Sequence, residues 1–476
     1  MKKILLIAST FFIYSICTAQ TIIGSWGGKI DVGPRKILFV MHIQQNGNTL
    51  KSFFDSPDQN AFDIRGGETK LSGDSIIALI PAMQSSYVGK WDGRDSIMGI
   101  FKQGQRTTIL GMKRLNESQI PKPSMAKTRP QTPKPPFDYT IEEVEYNNAD
   151  NTVRYGATLT TPKNKTSFPT VILISGSGSQ DRDGTMLGHK LYWVLADYLT
   201  KNGIGVLRVD DRGTGLSTLG PDPKSLTSAD FANDVNNSVA FLLGRKEIDH
   251  KKIGLIGHSE GGAIAPMVAS TNKNIAFITL LAGPGVNGDE IFKYQMRRNF
   301  VKKGLNAEDE QIAASMVNSM IDQMKLSSNY DSIRTGMKTI YSNWRKTYSA
   351  DDESRLLNTI GDKAYLAVVD QFRGGLIWLN YFMNLDPSIA LKKVTCPVLA
   401  VNGESDMQVL SKENLEGIEK AMQKGKNKNY SIHSFPNLNH LFQTCNNPEQ
   451  NYESIDETFS PIALSFIANW INQIVK

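Results

Sequence analysis

Cysteine and histidine are scarce in this chain, three of the former and six of the latter in 476 residues. Three cysteines set no disulfide framework, and no Cys/His pair stands at ligand spacing, so no metal is expected. Charge of one sign is not gathered anywhere. The formal net charge of +6 is spread over dispersed lysines with no long basic stripe, which argues against a nucleic-acid partner. Long hydrophobic runs are missing too. The apolar stretch over residues 4–17 stops short of the roughly 20 residues a membrane span needs.

That stretch has another reading. Lys2 and Lys3 precede it, small Cys17 stands three residues before a cut after Ala19, and Gln20 would become the new N-terminus. This is the layout of a signal peptide over residues 1–19, so the protein is expected to be exported, periplasmic or secreted, without a stable membrane anchor. Bulky Ile16 before Cys17 argues against a lipidated cysteine. Processing lowers the net charge to +4 and leaves Cys396 and Cys445, whose pairing the sequence does not settle. Oligomeric state is equally open.

The mature length exceeds what one hydrophobic core serves, and two folded units are expected. Residues 20–115 read as short strands, for example 37–43, 75–80 and 107–112, punctuated by Asn46-Gly47-Asn48, Arg65-Gly66-Gly67 and Asp92-Gly93-Arg94-Asp95. Antiparallel hairpins require such turns, and a small all-β domain follows, a sandwich or a lipocalin-like barrel. It offers no evident nucleophile–base pair. Residues 116–136 carry Pro121, Pro123, Pro130, Pro133, Pro135 and Pro136 and read as an extended linker.

From residue 137 to 476 short apolar runs alternate with helical stretches near 189–202, 227–245, 261–271 and 411–423. Runs such as 171–174, 253–256 and 397–401 are apolar throughout, which implies strands buried on both faces and hence an α/β domain with a mainly parallel sheet. Residues from about 287 to 388 hold no convincing strand. Ile312, Met316, Val317, Met320, Ile321 and Met324 recur there at helical spacing, predicting a helical cap above the sheet.

The chemistry is concentrated in Gly257-His258-Ser259-Glu260-Gly261-Gly262. A bare G-x-S-x-G is weak, arising by chance about 0.2 times in such a length. Its placement after a buried strand and before an apolar helix is what matters. A tight strand–turn–helix bend projects Ser259 as a nucleophile and needs nearly side-chain-free neighbours. Of the histidines only His433 and His440 follow it. His433 sits within a strand-like alternation, whereas His440 lies on a loop after that strand, where a general base must stand. The acid should end an earlier strand, and Glu404 and Asp406 both follow Val401-Asn402-Gly403. Asp406 is favoured because it lies beyond the turn, with Glu404 as an outward loop charge. Backbone N–H donors for an oxyanion are expected from Glu260 and from Ser177 in Ser175-Gly176-Ser177-Gly178-Ser179.

These segments, with Gln180-Asp181-Arg182-Asp183-Gly184, Asp210-Asp211-Arg212-Gly213-Thr214-Gly215 and Asn439-His440, resemble the bacterial carboxylesterases of the α/β-hydrolase superfamily, in a subgroup with an N-terminal β-domain. The usual His-Gly of the oxyanion loop is Ser175-Gly176 here. The resemblance implies a cofactor-free serine hydrolase acting on small-molecule acyl or aryl esters, and a structural role for Arg212. Trp378, Tyr381 and Phe382, at i, i+3 and i+4 in the cap, are candidates for a substrate pocket, although such triplets more often serve packing. Competing readings are a serine peptidase or thioesterase of the same fold, and a non-catalytic ligand-binding protein.

Overall fold

A computed structural model describes residues 21–476 except 33–34, 48, 60, 81–84, 104–105, 121–128, 164, 166, 303, 361–365, 367–368 and 371. The expected leader, Pro121 and Pro123 lie outside the described residues. The chain divides into two compact units, Met1–Ala126 and Lys127–Lys476.

The first unit is built from β1 (Gly24–Val32), β2 (Arg35–Asn46), β3 (Thr49–Ser56), β4 (Ala61–Arg65), β5 (Thr69–Ser72), β6 (Ser75–Ile80), β7 (Ser85–Trp91), β8 (Ser96–Gln103) and β9 (Arg106–Leu115). Successive strands pair antiparallel, except that β4 and β5 both pair with β3 and not with each other. The first and last close the ring, Ser25 opposite Leu115 and Gly27 opposite Lys113. Of the two all-β forms considered, this is the closed barrel, with eight strand positions. Its interior is filled by Trp26, Phe39, Phe54, Tyr87 and Phe101 among aliphatic side chains. Tyr87 shares its hydroxyl between the carbonyls of Ile97 and Leu110, so the ring's one polar atom is satisfied.

The second unit follows in the order β10 (Tyr139–Asn147), β11 (Arg154–Pro162), β12 (Phe168–Ile174), β13 (Thr185–Met186), β14 (His189–Lys190), α1 (Leu191–Lys201), β15 (Gly205–Val209), α2 (Ser228–Leu243), β16 (Ile248–His258), α3 (Gly261–Ala269) and β17 (Ile275–Leu281). Among the described residues the helices that come next are α4 (Gly288–Lys302), α5 (Ala307–Lys325), α6 (Tyr330–Thr347), α7 (Ala350–Ile360), α8 (Leu376–Met383) and α9 (Ser388–Leu391). The chain then re-enters the sheet with β18 (Val398–Gly403), α10 (Ser411–Lys424), β19 (Tyr430–Phe435) and α11 (Pro461–Ile474).

Its eight-stranded sheet has the order β10-β11-β15-β12-β16-β17-β18-β19, antiparallel at the β10 end and parallel from β15 onward. The continuous apolar strands are explained by the two layers that cover them. Val171 and Leu173 of β12 face the core made with α1 and α11, while Ile172 and Ile174 face the one made with α2, α3 and α10. Successive side chains thus alternate between two dry faces. The stripe on α5 is buried against Ile333, Met337 and Trp344 in the cap's own core.

One expectation is corrected. The proline-rich stretch does not run as an extended linker to residue 136. Arg129 is 1 % exposed and donates to the carbonyls of Ile455, Leu187 and Glu453, and Gln131 exchanges hydrogen bonds with Thr458 and Phe459. A guanidinium with five donors is held by scattered carbonyls that only the folded chain brings together.

Candidate active site

Ser259 stands between the end of β16 and the start of α3 with φ of +54°, a left-handed conformation unusual for a residue with a side chain. Its N–H is held by the carbonyl of Leu281 on β17. The glycines around it are required by close approach. A Cβ on Gly257 would meet the Gly261 carbonyl oxygen at 2.0 Å, and one on Gly261 would meet the oxygens of Ile174 and Ser175 at 2.4 and 2.6 Å. These are backbone atoms that cannot swing aside. Gly261→Ala is therefore expected to destabilise the second unit by about 1–3 kcal/mol or more, read as a lower denaturation midpoint. An unchanged midpoint would show that the loop after β12 yields at little cost.

His440 and Asp406 meet at the same edge of the sheet. His440 Nδ1 is 2.8 Å from Asp406 Oδ2, and both side chains are buried. A carboxylate oxygen only accepts, so Nδ1 carries the proton and Nε2 is left as an acceptor. The other oxygen, Oδ1, accepts from the N–H groups of Gln408 and Val409 at 2.8 and 3.0 Å, which fixes the carboxylate against rotation. Glu404 is exposed and accepts from Ser434, and the His433 ring stacks on Phe466 at 4.4 Å; neither joins the pair.

The serine and the histidine are linked through His258. Its Nε2 donates to the His440 carbonyl at 2.9 Å, and the two rings lie 4.8 Å apart. Burial drives the His258 pKa down to about 3, helped by the His440 ring. The folded value lies below the ordinary 6.5, so the unfolded chain binds more protons between pH 3 and 6.5. Stability from neutral His258 is thus complete above about pH 6.5 and is lost as pH falls through that window. His258→Gln keeps a donor for the His440 carbonyl without titrating. Relative to the variant, the wild type should lose about 1.4 kcal/mol per pH unit below pH 6, seen as a widening gap in melting temperature. Parallel pH profiles would contradict this.

The loop after β12 comes against Ser259. A Cβ on Gly176 would lie 3.1 Å from Ser259 Cβ. Asp211 ties both ends of this loop, accepting from Ser175 Oγ at 2.7 Å and from the Gln180 N–H at 2.8 Å. Burial nevertheless raises its carboxyl to about 7, so Asp211 runs opposite in sign to His258. The Gly176 N–H points to Tyr192 Oη at 3.3 Å. The N–H groups of Ser177 and Glu260 have no hydrogen-bond partner among the described residues.

Glu260 carries a role that the sequence did not signal. Its side chain is buried, and Oε1 accepts from Ser228 Oγ at 2.6 Å and from Trp378 Nε1 at 2.9 Å. Trp378 thus ties α8 of the cap to the turn that carries Ser259. Phe382 is buried between Phe292 and Trp378, and half-buried Tyr381 has its hydroxyl pKa raised by burial. Arg212 is turned to Asp234 in a two-pronged pair on α2. Cys396 and Cys445 are both free. Among the described residues no His, Cys, Asp and Glu cluster is able to hold a metal.

A second serine–histidine–aspartate row stands in the barrel, where none was expected. Ser25 Oγ is 2.8 Å from His42 Nδ1, and His42 Nε2 is 2.8 Å from Asp55. Ser25 lies inside a regular ladder opposite His42, away from any helix N-terminus among the described residues of the barrel. It lacks the surroundings of Ser259.

A family model described as the alpha/beta hydrolase fold matches residues 169–443. The esterase EstD of Thermotoga maritima is 25 % identical over 287 residues, or 60 % of this chain; the match spans 57 % of that relative, little more than half its length. Among solved structures, the Pyrococcus furiosus esterase Pf2001 is similar with a TM-score of 0.43 and 16 % identity, over 71 % of this chain and 92 % of that one. A proline iminopeptidase of Mycobacterium smegmatis gives 0.41 and 16 %, over 70 % and 98 %.

Proposed function

The chain belongs to the α/β-hydrolase fold family, and from that premise we propose that it hydrolyses carboxylic esters by serine acyl transfer through Ser259, His440 and Asp406. The observation that carries the reading is the positive-φ serine at a strand–helix turn beside a buried His–Asp pair. The similarity to an esterase over 287 residues supports the choice of ester.

In this mechanism His440 Nε2, left unprotonated by the tautomer that Asp406 holds, takes the proton of the Ser259 hydroxyl as it attacks the ester carbonyl. Negative charge develops on the carbonyl oxygen and is met by the N–H groups of Glu260 and Ser177 and by the N-terminus of α3. The imidazolium then protonates the leaving alcohol. Water, deprotonated by the same nitrogen, releases the acid from the acyl-enzyme. Trp378, anchored on Glu260 next to Ser259, borders the substrate site in this reading, and the ester carries a short acyl or aryl group.

Hydrolysis of p-nitrophenyl acetate and butyrate tests the class, with an aminoacyl p-nitroanilide as the peptidase control. Turnover of the esters and none of the anilide is the expected result. Cleavage of the anilide alone would replace the reading with that of a peptidase.

A further inference from the structure

Strand β6 reads Ser-Ile-Ile-Ala-Leu-Ile, as apolar as a strand with two covered faces. In the barrel only one face is covered. Ile76, Ala78 and Ile80 are fully buried, yet Ile77 and Leu79 are about 40 % exposed. The neighbouring strands repeat this. Ile77 stands opposite Val88, Val88 opposite Ile100, and Ile100 opposite Ile109, so one exposed aliphatic row crosses four strands. Ile109 is 77 % exposed, and Met98 two residues from Ile100 is 62 %. Cross-strand neighbours lie about 5 Å apart, so the row is continuous rather than scattered. Single exposed aliphatics need no explanation, but a joined row does.

The charge carried by these strands has one sign. Strands β6 to β9 contain no Asp or Glu at all. Lys90, Lys102 and Lys113 are exposed on the same outward face, Lys90 and Lys102 on the two rows flanking the aliphatic one and Lys113 one row further out, opposite Ser96 and beside Asp92 of the β7–β8 turn. Lys90 reaches Asp74 in the β5–β6 turn at 3.7 Å, an exposed pair of little strength.

We infer that the outward face of β6 to β9 is a peripheral docking surface for an anionic lipid layer. Aliphatic side chains enter the boundary of the acyl region while lysines meet the headgroups, the division of labour of interfacial proteins. A second copy fits less well, because a two-fold contact through this face brings lysines together while its carboxylates, Asp74 and Asp92, stand only in the turns at its edge. The contact is peripheral and differs from an anchor. It does not depend on the proposed ester chemistry.

Flotation of the whole protein with vesicles tests this, using phosphatidylcholine alone and an equal mixture with phosphatidylglycerol. At low salt the mixed vesicles should bind about tenfold more tightly or better, and added salt should weaken them. Lys102→Glu/Lys113→Glu should reduce binding to the phosphatidylcholine level, and Ile100→Ser/Ile109→Ser should lower it to a similar extent. Both pairs point outward, so melting temperature within a few degrees of wild type serves as the folding control. Absence of a phosphatidylglycerol preference, or wild-type binding by both folded variants, overturns the inference. So does a dimer in sedimentation that Ile100→Ser/Ile109→Ser dissolves while vesicles are ignored.

Discussion

Ser259→Ala is expected to lower kcat for p-nitrophenyl butyrate by about 10⁵-fold or more, the scale seen when the nucleophile of a serine hydrolase is removed. That corresponds to roughly 7 kcal/mol of lost transition-state stabilisation. The fold should tolerate it. The Ser259 N–H bond to Leu281 is made by backbone, and the residue's positive φ costs alanine about what it costs serine. The melting temperature should therefore stay within a few degrees while activity vanishes. Retention of a tenth of the activity by a folded variant would remove Ser259 from the chemistry.

Asp406→Asn carries the second largest effect, about 10⁴-fold in kcat. Asparagine keeps an oxygen for the Gln408 and Val409 N–H groups, so the loop stays in place. Its amide nitrogen then faces His440 Nδ1. Two donors cannot share that bond, so the ring turns to the tautomer with the proton on Nε2, which is unable to accept from Ser259. Glu404→Gln serves as the internal comparison, because Glu404 is exposed and bonded to Ser434. It should change kcat by less than about threefold, as surface changes do. The opposite ranking of the two variants would move the acid to Glu404.

The parts of this site that were legible in the sequence were those whose constraint is local or ordered along the chain. The elbow announces itself because close backbone approach at Gly257 and Gly261 admits no side chain. His440 and Asp406 follow from chain order and from strand ends. Two covered faces explain the unbroken apolar strands of the second unit, and the parallel sheet follows from them. What depends on distant register was not legible. Closure of the barrel rests on pairing β1 with β9, strands from opposite ends of the unit. The Ser25–His42–Asp55 row exists only once three strands are in register. Arg129 lies 326 residues from its partner Ile455, and a proline-rich composition masked its packing. Trp378 was read from helical spacing, but its bond to Glu260 requires the cap to be folded over the elbow.

The most direct test is to label the protein with a fluorophosphonate and map the adduct by peptide mass. The account predicts a single adduct on the peptide containing Ser259, absent from Ser259→Ala. An adduct on Ser25 of the barrel, or ester hydrolysis that proceeds with no adduct at all, would contradict it.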